Sequence, residues 1–425
     1  MTCRARSLRL LILVGASVGT LAAAPPPAPP LPDHPLTLQE CYDLAKRRSE
    51  ELAIRGELIE ENKGRLVQSI ASVLPRASFK LTDERQDGSG GSAFTLRHIP
   101  TRYFHFSQPI FSGFKEFSAM AGVRALTRQR ASERRRAEDL LLVDVSDAFY
   151  LLLEQRAEMH TLEGIRASLI VRIDELGERQ KLGRSRPNEV KTAEAQLRRV
   201  EADYEDARSH EVIARQLLEF LTGLDGLVGI IDPNPPLTVD DEAVYLEKAK
   251  LRPDVVASRE AWNVARNQLR VARAQFFPTV DLESNYYTKR TGVAADVDWD
   301  VLLTVDVPLF QGGKAVGASM TAASEARQAK LLFAKTERTA QREVLDAYAR
   351  FESALARRLA LANALQAAEE NFRLQVEDYR LSLVNNLDVL DALRTLEDAR
   401  RDEIGARYDA KRLYWLLRAT AGEGL

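Results

Sequence analysis

A seven-residue word occurs twice in this chain, and both copies sit where a short alternating stretch gives way to a very long helical one. Ser107-Gln-Pro-Ile-Phe-Ser-Gly113 returns as Asp306-Val-Pro-Leu-Phe-Gln-Gly312, 199 residues later. The same offset pairs Val145, Asp147, Ala148 and Phe149 with Val344, Asp346, Ala347 and Tyr348, and Glu189-Val190 with Asp388-Val389. A register held without insertion across some 80 residues marks a duplicated unit.

Each unit has the same order. A helical stretch, Leu38–Val73, closes on Leu74-Pro75; its partner, Glu242 to Gln275, closes on Phe277-Pro278. Proline cannot donate to the helical ladder and pushes the residue before it out of helical geometry. Strands follow. Val297 to Val307 alternates, with Val297, Trp299, Val301, Leu303, Val305 and Val307 on one side and Asp298, Asp300, Thr304 and Asp306 on the other. Period 2 of this kind predicts a half-buried strand. Thr279–Tyr287 precedes it, and Arg76–Glu84 with Thr101–Phe111 forms the matching hairpin around a loop containing Gly88-Ser-Gly-Gly-Ser92. Then come Phe114–Lys181 and Lys314–Leu381, two stretches without an internal proline. Each predicts a rod on the order of 100 Å long. Breaks at Gly183–Pro187 and Ser382–Asn386 lead into returning helices. There Val190, Ala193, Leu197, Val200, Tyr204 and Ala207 keep the 3-4 spacing of a coiled coil, as do Val389, Ala392, Leu396, Ala399 and Glu403. Leu140–Val143 with Phe149–Leu153 is apolar nearly all round and predicts a buried part of the first rod.

The chain divides accordingly into a signal peptide, 1–24, a Pro-rich leader, 25–35, and repeats at 36–232 and 233–425. Arg4, Arg6 and Arg9 before the apolar Leu10–Val18 and the small residues Leu21-Ala-Ala-Ala24 carry the export reading. The apolar run is too short to span a bilayer as a helix. Removal of the signal takes the net charge from −2 to about −5, which offers nucleic acid no basic stripe. Of two cysteines, Cys3 falls in the signal, so Cys41 alone excludes an intrachain disulfide and a thiolate-rich metal site. No His-Glu-x-x-His, nucleophile elbow or phosphate loop occurs, so neither an enzyme nor a cofactor or metal site is expected.

About 10 residues cross a bilayer as a tilted strand, and Tyr103, Phe104, Tyr286, Tyr287 and Trp299 predict an aromatic girdle at the membrane surface. Open sheet edges are not tolerated in hydrocarbon, so strands from several copies must close a barrel.

The doubled words, the Leu74-Pro75 and Phe277-Pro278 helix ends and Tyr379-x-x-Ser-x-x-x-x-Leu-Asp-Val-Leu-Asp391 resemble the TolC-like outer-membrane efflux proteins from Leu36 to Gly422. The resemblance implies a mainly α fold with a small β part: duplicated helical hairpins forming a long α-helical barrel, with four transmembrane strands per chain in a trimeric twelve-stranded β-barrel. It implies a passive outer-membrane exit duct extending into the periplasm of a Gram-negative bacterium, docked to a periplasmic adaptor and an inner-membrane pump or ABC transporter. Tyr379, Asp388 and Asp391 would form its periplasmic gate, the acids as rings in the lumen. Gly183, Arg184, Ser185, Pro187, Ser382, Asn385 and Asn386 would face the adaptor. The chain departs from the family at Ser382, usually glycine, and at Val384, where some members carry a basic gate partner. Its end soon after Gly422 predicts a reduced belt around the tube. A secreted periplasmic coiled-coil adaptor or scaffold is the competing reading. Adaptors do not usually duplicate the whole unit, and their strands need no lipid-facing band.

Overall fold

The computed structural model describes residues 34–88, 96–183, 185–226, 229–234, 237–381 and 383–424. The expected signal peptide and nearly all of the leader lie outside these residues, as do Arg184, Ser382 and most of the glycine-rich hairpin loop.

Two 67-residue helices set the dimensions of the molecule: α3, Lys115–Lys181, and α7, Lys314–Arg380. Each is preceded by two short helices and a hairpin and followed by a returning helix. The order is α1 (Leu38–Arg48), α2 (Glu50–Ala71), β1 (Arg76–Arg85), β2 (His98–Ser112), α3 and α4 (Pro187–Thr222). It repeats as α5 (Glu242–Ala249), α6 (Pro253–Ala274), β3 (Thr279–Lys289), β4 (Trp299–Asp306), α7 and α8 (Asn386–Thr420).

The leading helical stretches expected to be continuous are each broken in two, at Ser49 and before Pro253. Ser49 accepts the Leu52 amide at 3.3 Å as an N-cap, so a new helix starts there. Pro253 takes the first position of α6, where its missing N–H costs nothing. The two breaks fall at equivalent places in the repeats. α1 begins with a capping box in which Glu40 accepts from the Thr37 amide at 2.8 Å. That bond and those from the His34 and Thr37 side chains pull the Glu40 carboxyl down to about 2.

Three apolar clusters run along the rods. Around the middle, Cys41 and Tyr42 of α1, Leu142, Val145, Phe149 and Leu152 of α3, Leu218 of α4 and Trp415 of α8 pack together. Here Trp415 Nε1 donates to Tyr150 Oη at 3.2 Å. Burial pushes the Cys41 thiol up to about 12, which leaves it unreactive. The second repeat builds its own version from Tyr245, Val344, Ala347, Phe351 and Leu417. Toward the tip, the coiled-coil positions Ala193, Leu197, Val200 and Ala207 of α4 bury against Leu162, Ile165, Leu169 and Leu176 of α3.

At the other end the strands make one antiparallel sheet, β1-β2-β3-β4, with β1 and β4 unpaired on their outer edges. The β2–α3 junction needs glycine: Gly113 has φ 66°, and a Cβ there would lie 2.9 Å from both Ala274 O and Phe277 Cβ. Gly113→Ala is therefore expected to cost roughly 2 kcal/mol or more, read as a lower thermal midpoint of the detergent-solubilised protein; an unchanged midpoint would mean that the junction relaxes freely. The equivalent Gly312, φ 58°, faces open space in a single chain.

Candidate functional site

The sheet separates chemistry by face. Residues paired across strands share a face, so Phe79, Phe104, Tyr286 and Trp299 form one row across all four strands. The Phe79 and Phe104 rings are 4.8 Å apart. Phe106, Leu282, Val301, Leu303 and Val305 continue that face. The opposite face carries Lys80, His105, Asn285, Asp300 and Thr304, with Ile99 and Leu302 among its apolar exceptions. It holds a hydrogen-bonded chain in which His105 Nδ1 meets Asn285 Oδ1 at 2.8 Å. Asn285 Nδ2 and Tyr287 Oη then donate to the two Asp300 oxygens at 2.8 and 2.9 Å.

The five aromatic residues expected to form a girdle are thus divided. Phe104, Tyr286 and Trp299 lie on the apolar face, while Tyr103 and Tyr287 lie on the polar one with their rings tilted and 5.2 Å apart. Phe79 belongs with the first group and was missed, because the charges around it in β1 hide the alternation. The half-buried strand expected at 297–307 is shorter, Trp299–Asp306, and is not half-buried in a single chain: Trp299, Val301, Leu303 and Val305 are 56–65 % exposed. An apolar face left bare by its own chain requires cover from outside it. Among the described residues no helix is long and apolar enough to cross a membrane.

At the far tip, Tyr379 is 8 % exposed, at the end of α7. Two guanidiniums from α3 sit on its ring, Arg172 at 4.0 Å and Arg179 at 4.6 Å from the centroid. Arg172 Nε also donates to Asn386 Oδ1 at 2.9 Å, tying α3 to the first turn of α8. Leu390 and Leu393 are buried beside Tyr379 in the same groove, of about 600 Å³. Tyr379 is thus clamped between repeats by arginines that sequence reasoning did not single out; in sequence they look like part of a solvated helix face.

Asp388 and Asp391 are exposed on the side of α8 away from Leu390 and Leu393. Asp388 closes a capping box: it accepts the Asn385 amide at 3.0 Å while Asn385 Oδ1 accepts from Leu387 and Asp388. Among the expected adaptor-facing residues, Ser185 donates to Glu189 at 2.6 Å, Gly183 has φ 76°, Pro187 opens α4, and Asn386 is buried under Arg172 rather than free. Arg184 and Ser382 are outside the described residues.

Farther up α8, Glu397 is 7 % exposed against α4. Gln196 Nε2 donates to its Oε2 at 2.9 Å, and Oε1 has no partner among the described residues. Burial raises its carboxyl to about 7; the Gln196 bond opposes the rise, nearby Asp398 and Asp203 add to it, and Arg401 opposes it. A carboxyl with a raised folded-state pKa binds more protons when folded than when unfolded, so stability falls as pH climbs from about 4.5 to about 7. Glu397→Gln is expected to raise the thermal midpoint at pH 8 and leave it unchanged near pH 4; equal shifts at both would mean that the carboxyl is not strained by burial.

The chain thus joins a sheet with one apolar face, one polar face and two open edges to a pair of 67-residue helical rods. A family model described as "Outer membrane efflux protein" matches residues 245–423. Among similar proteins, outer membrane protein OprJ of Pseudomonas aeruginosa is 26 % identical over 286 residues, covering 64 % of this chain and 59 % of OprJ. Outer membrane protein TolC of Vibrio cholerae is 22 % identical over 423 residues, 94 % of this chain and 92 % of TolC. The outer membrane protein VceC of Vibrio cholerae superposes with a TM-score of 0.80 at 21 % identity, over 91 % of this chain and 96 % of VceC. CusC superposes with the same TM-score at 17 % identity, over 91 % and 92 %. These superpositions establish a TolC-like channel fold, and within it residues 245–423 match the outer membrane efflux protein family.

Proposed function

We infer that this chain is the outer-membrane exit duct of a tripartite efflux or type I secretion system: a passive, gated conduit across the outer membrane and periplasm. The observation that carries the reading is the two-faced sheet with unpaired β1 and β4 edges, fused to the 67-residue helices. Such edges are not stable in hydrocarbon and must be closed by strands of other copies.

Quasi-equivalence between the repeats supports closure by identical copies. α6 packs against both α3 and α7, whereas its duplicate α2 packs on α3 and makes no extensive contact with α7. Ile54 and Val67 of α2 and Leu331 and Leu332 of α7 are left exposed. The missing contact is supplied when α2 of one copy meets α7 of the next, as β4 meets β1. The open space beside Gly312 would then be filled as Gly113 is filled by Ala274 and Phe277. Three copies give twelve strands, the number the family resemblance implies.

In the duct, Asp388 and Asp391 line the narrow end as rings that favour cations. The Tyr379–Arg172–Arg179 contact holds the second-repeat hairpin against the first. The tip turns at 183–187 and 382–386 face a periplasmic adaptor, with Asn386 itself buried beneath Arg172, and an inner-membrane pump or ABC transporter supplies the energy. Relatives of similar sequence are named for antibiotic, toluene and cation efflux, and among the described residues no metal-ligating cluster singles out the last of these.

The test is a planar bilayer. The membrane-extracted protein is expected to run as a heat-modifiable oligomer and to give small, cation-selective channels. A water-soluble monomer without conductance would favour the adaptor reading instead.

A further inference from the structure

Below the sheet, four arginines converge from two helices. Arg124 and Arg128 of α3 and Arg266 and Arg270 of α6 border a groove of about 240 Å³, together with Asn263 and Asn267. Only Arg128 is neutralised, by two bonds to Glu260 Oε2 at 3.0 and 2.8 Å. Arg266 lies over the Trp262 ring at 5.2 Å, and Arg270 donates to Asn267 Oδ1 at 3.1 Å. Among the described residues, Arg124, Arg266 and Arg270 have no carboxylate partner. Like charges gathered this way repel unless an anion joins them.

The side on which the groove opens follows from three rings. Phe111 pairs with Val280, on the apolar face of the sheet. Phe114 lies 5.3 Å from Phe111, and Phe117 lies 6.4 Å from Phe114. Positions 117, 121, 124 and 128 share one helix face, so Arg124 and Arg128 lie on the lipid side of the wall, not the lumen side. Phe114 and Phe117 are more than 60 % exposed, and Phe276 at the top of α6 about half. They form an apolar collar above the groove. Arg124 is seven residues below Phe117 on α3, and Arg270 is six below Phe276 on α6. At about 1.5 Å per residue both lie roughly 10 Å beneath the collar. Headgroups occupy roughly 5–8 Å beyond the hydrocarbon, and long arginine side chains reach back toward such a boundary.

We propose that this groove binds the phosphate of an anionic phospholipid in the periplasm-facing leaflet of the membrane that the sheet spans. The guanidinium fork matches phosphate oxygens in pairs, and the aromatic collar takes the first acyl carbons. The proposal rests on the duct reading and adds to it a lipid anchor at a fixed depth.

The experiment uses the full chain in micelles doped with equal phosphatidylglycerol and phosphatidylcholine, retained lipid being measured by native mass spectrometry. Phosphatidylglycerol is expected to be enriched about 10-fold, the scale of one or two charge-assisted bonds. The enrichment is expected to fall to near parity in Arg124→Gln/Arg270→Gln, to drop partway in Arg266→Gln, and to persist in Arg350→Gln, far down the tube. Millimolar inorganic phosphate is expected to leave the lipid bound; complete displacement would make this a free-anion site and overturn the proposal. Enrichment that is absent, or unchanged in the arginine variants, would also overturn it. If the wild type conducts in planar bilayers but shows no lipid preference, this inference alone fails; if it neither assembles nor conducts, the duct reading fails with it.

Discussion

Replacing Arg172 and Arg179 together by alanine is expected to raise mean single-channel conductance several-fold by opening the tip. Both guanidiniums rest on one buried ring. Partly desolvated contacts of this kind contribute about 1–2 kcal/mol each. Arg172 adds a bond to Asn386 of about 1 kcal/mol. Loss of about 3 kcal/mol shifts a closed-to-open ratio by roughly 100-fold. Tyr379→Ala should act in the same direction. Tyr379→Phe should change little, because the ring makes the contact and the hydroxyl has no hydrogen bond among the described residues. Asp391→Ala is expected to act differently, weakening cation selectivity while the latch stays closed. If the double arginine variant conducts as the wild type does, the clamp is a packing feature and the gate lies elsewhere.

Leu303→Arg is expected to abolish assembly in the membrane, whereas Thr304→Arg is expected to leave it intact and alter ion selectivity. A cation on the lipid face of a transmembrane strand costs about 2–4 kcal/mol near the bilayer midplane. Closure by identical copies multiplies that cost by the number of subunits. Thr304 is one residue away but on the face with Asp300 and Asn285, where water solvates an added charge. The heat-modifiable oligomer in membrane fractions is the measurement, with conductance for the surviving variant. Equal loss for both would mean that the sheet is a packed soluble element.

Much of this was legible in the residues. The repeated Gln-Pro-Ile-Phe-Ser-Gly and Val-Pro-Leu-Phe-Gln-Gly words marked both strand-to-helix junctions, and the absence of proline gave the two rods within one residue at each end. The 3-4 spacing placed Ala193, Leu197, Val200 and Ala207 on the buried stripe of α4. The break at Ser49 was missed because a serine amid charged residues reads as an ordinary helix position until its side chain is seen capping Leu52. The division of the aromatic residues was available in principle: neighbours such as Tyr103 and Phe104, or Tyr286 and Tyr287, cannot share a face of a period-2 strand. The arginine clamp was not available. Arg172 and Tyr379 are about 200 positions apart, and only the packing of α8 on both α3 and α7 brings the end of α7 to Arg172. The lipid-side arginines were hidden similarly, being split between helices of different repeats.

Single cysteines placed along β4, in a background with Cys3 and Cys41 replaced by serine, test the central claim most directly. With the assembled protein in vesicles, a water-soluble thiol reagent entering the lumen is expected to label cysteines at Asp300 and Thr304 and to spare those at Val301, Leu303 and Val305. A lipid-dissolved reagent is expected to give the reverse pattern. Labelling of all five positions by the water-soluble reagent, with none by the lipid-dissolved one, would contradict a membrane-spanning sheet with its lumen on the polar side.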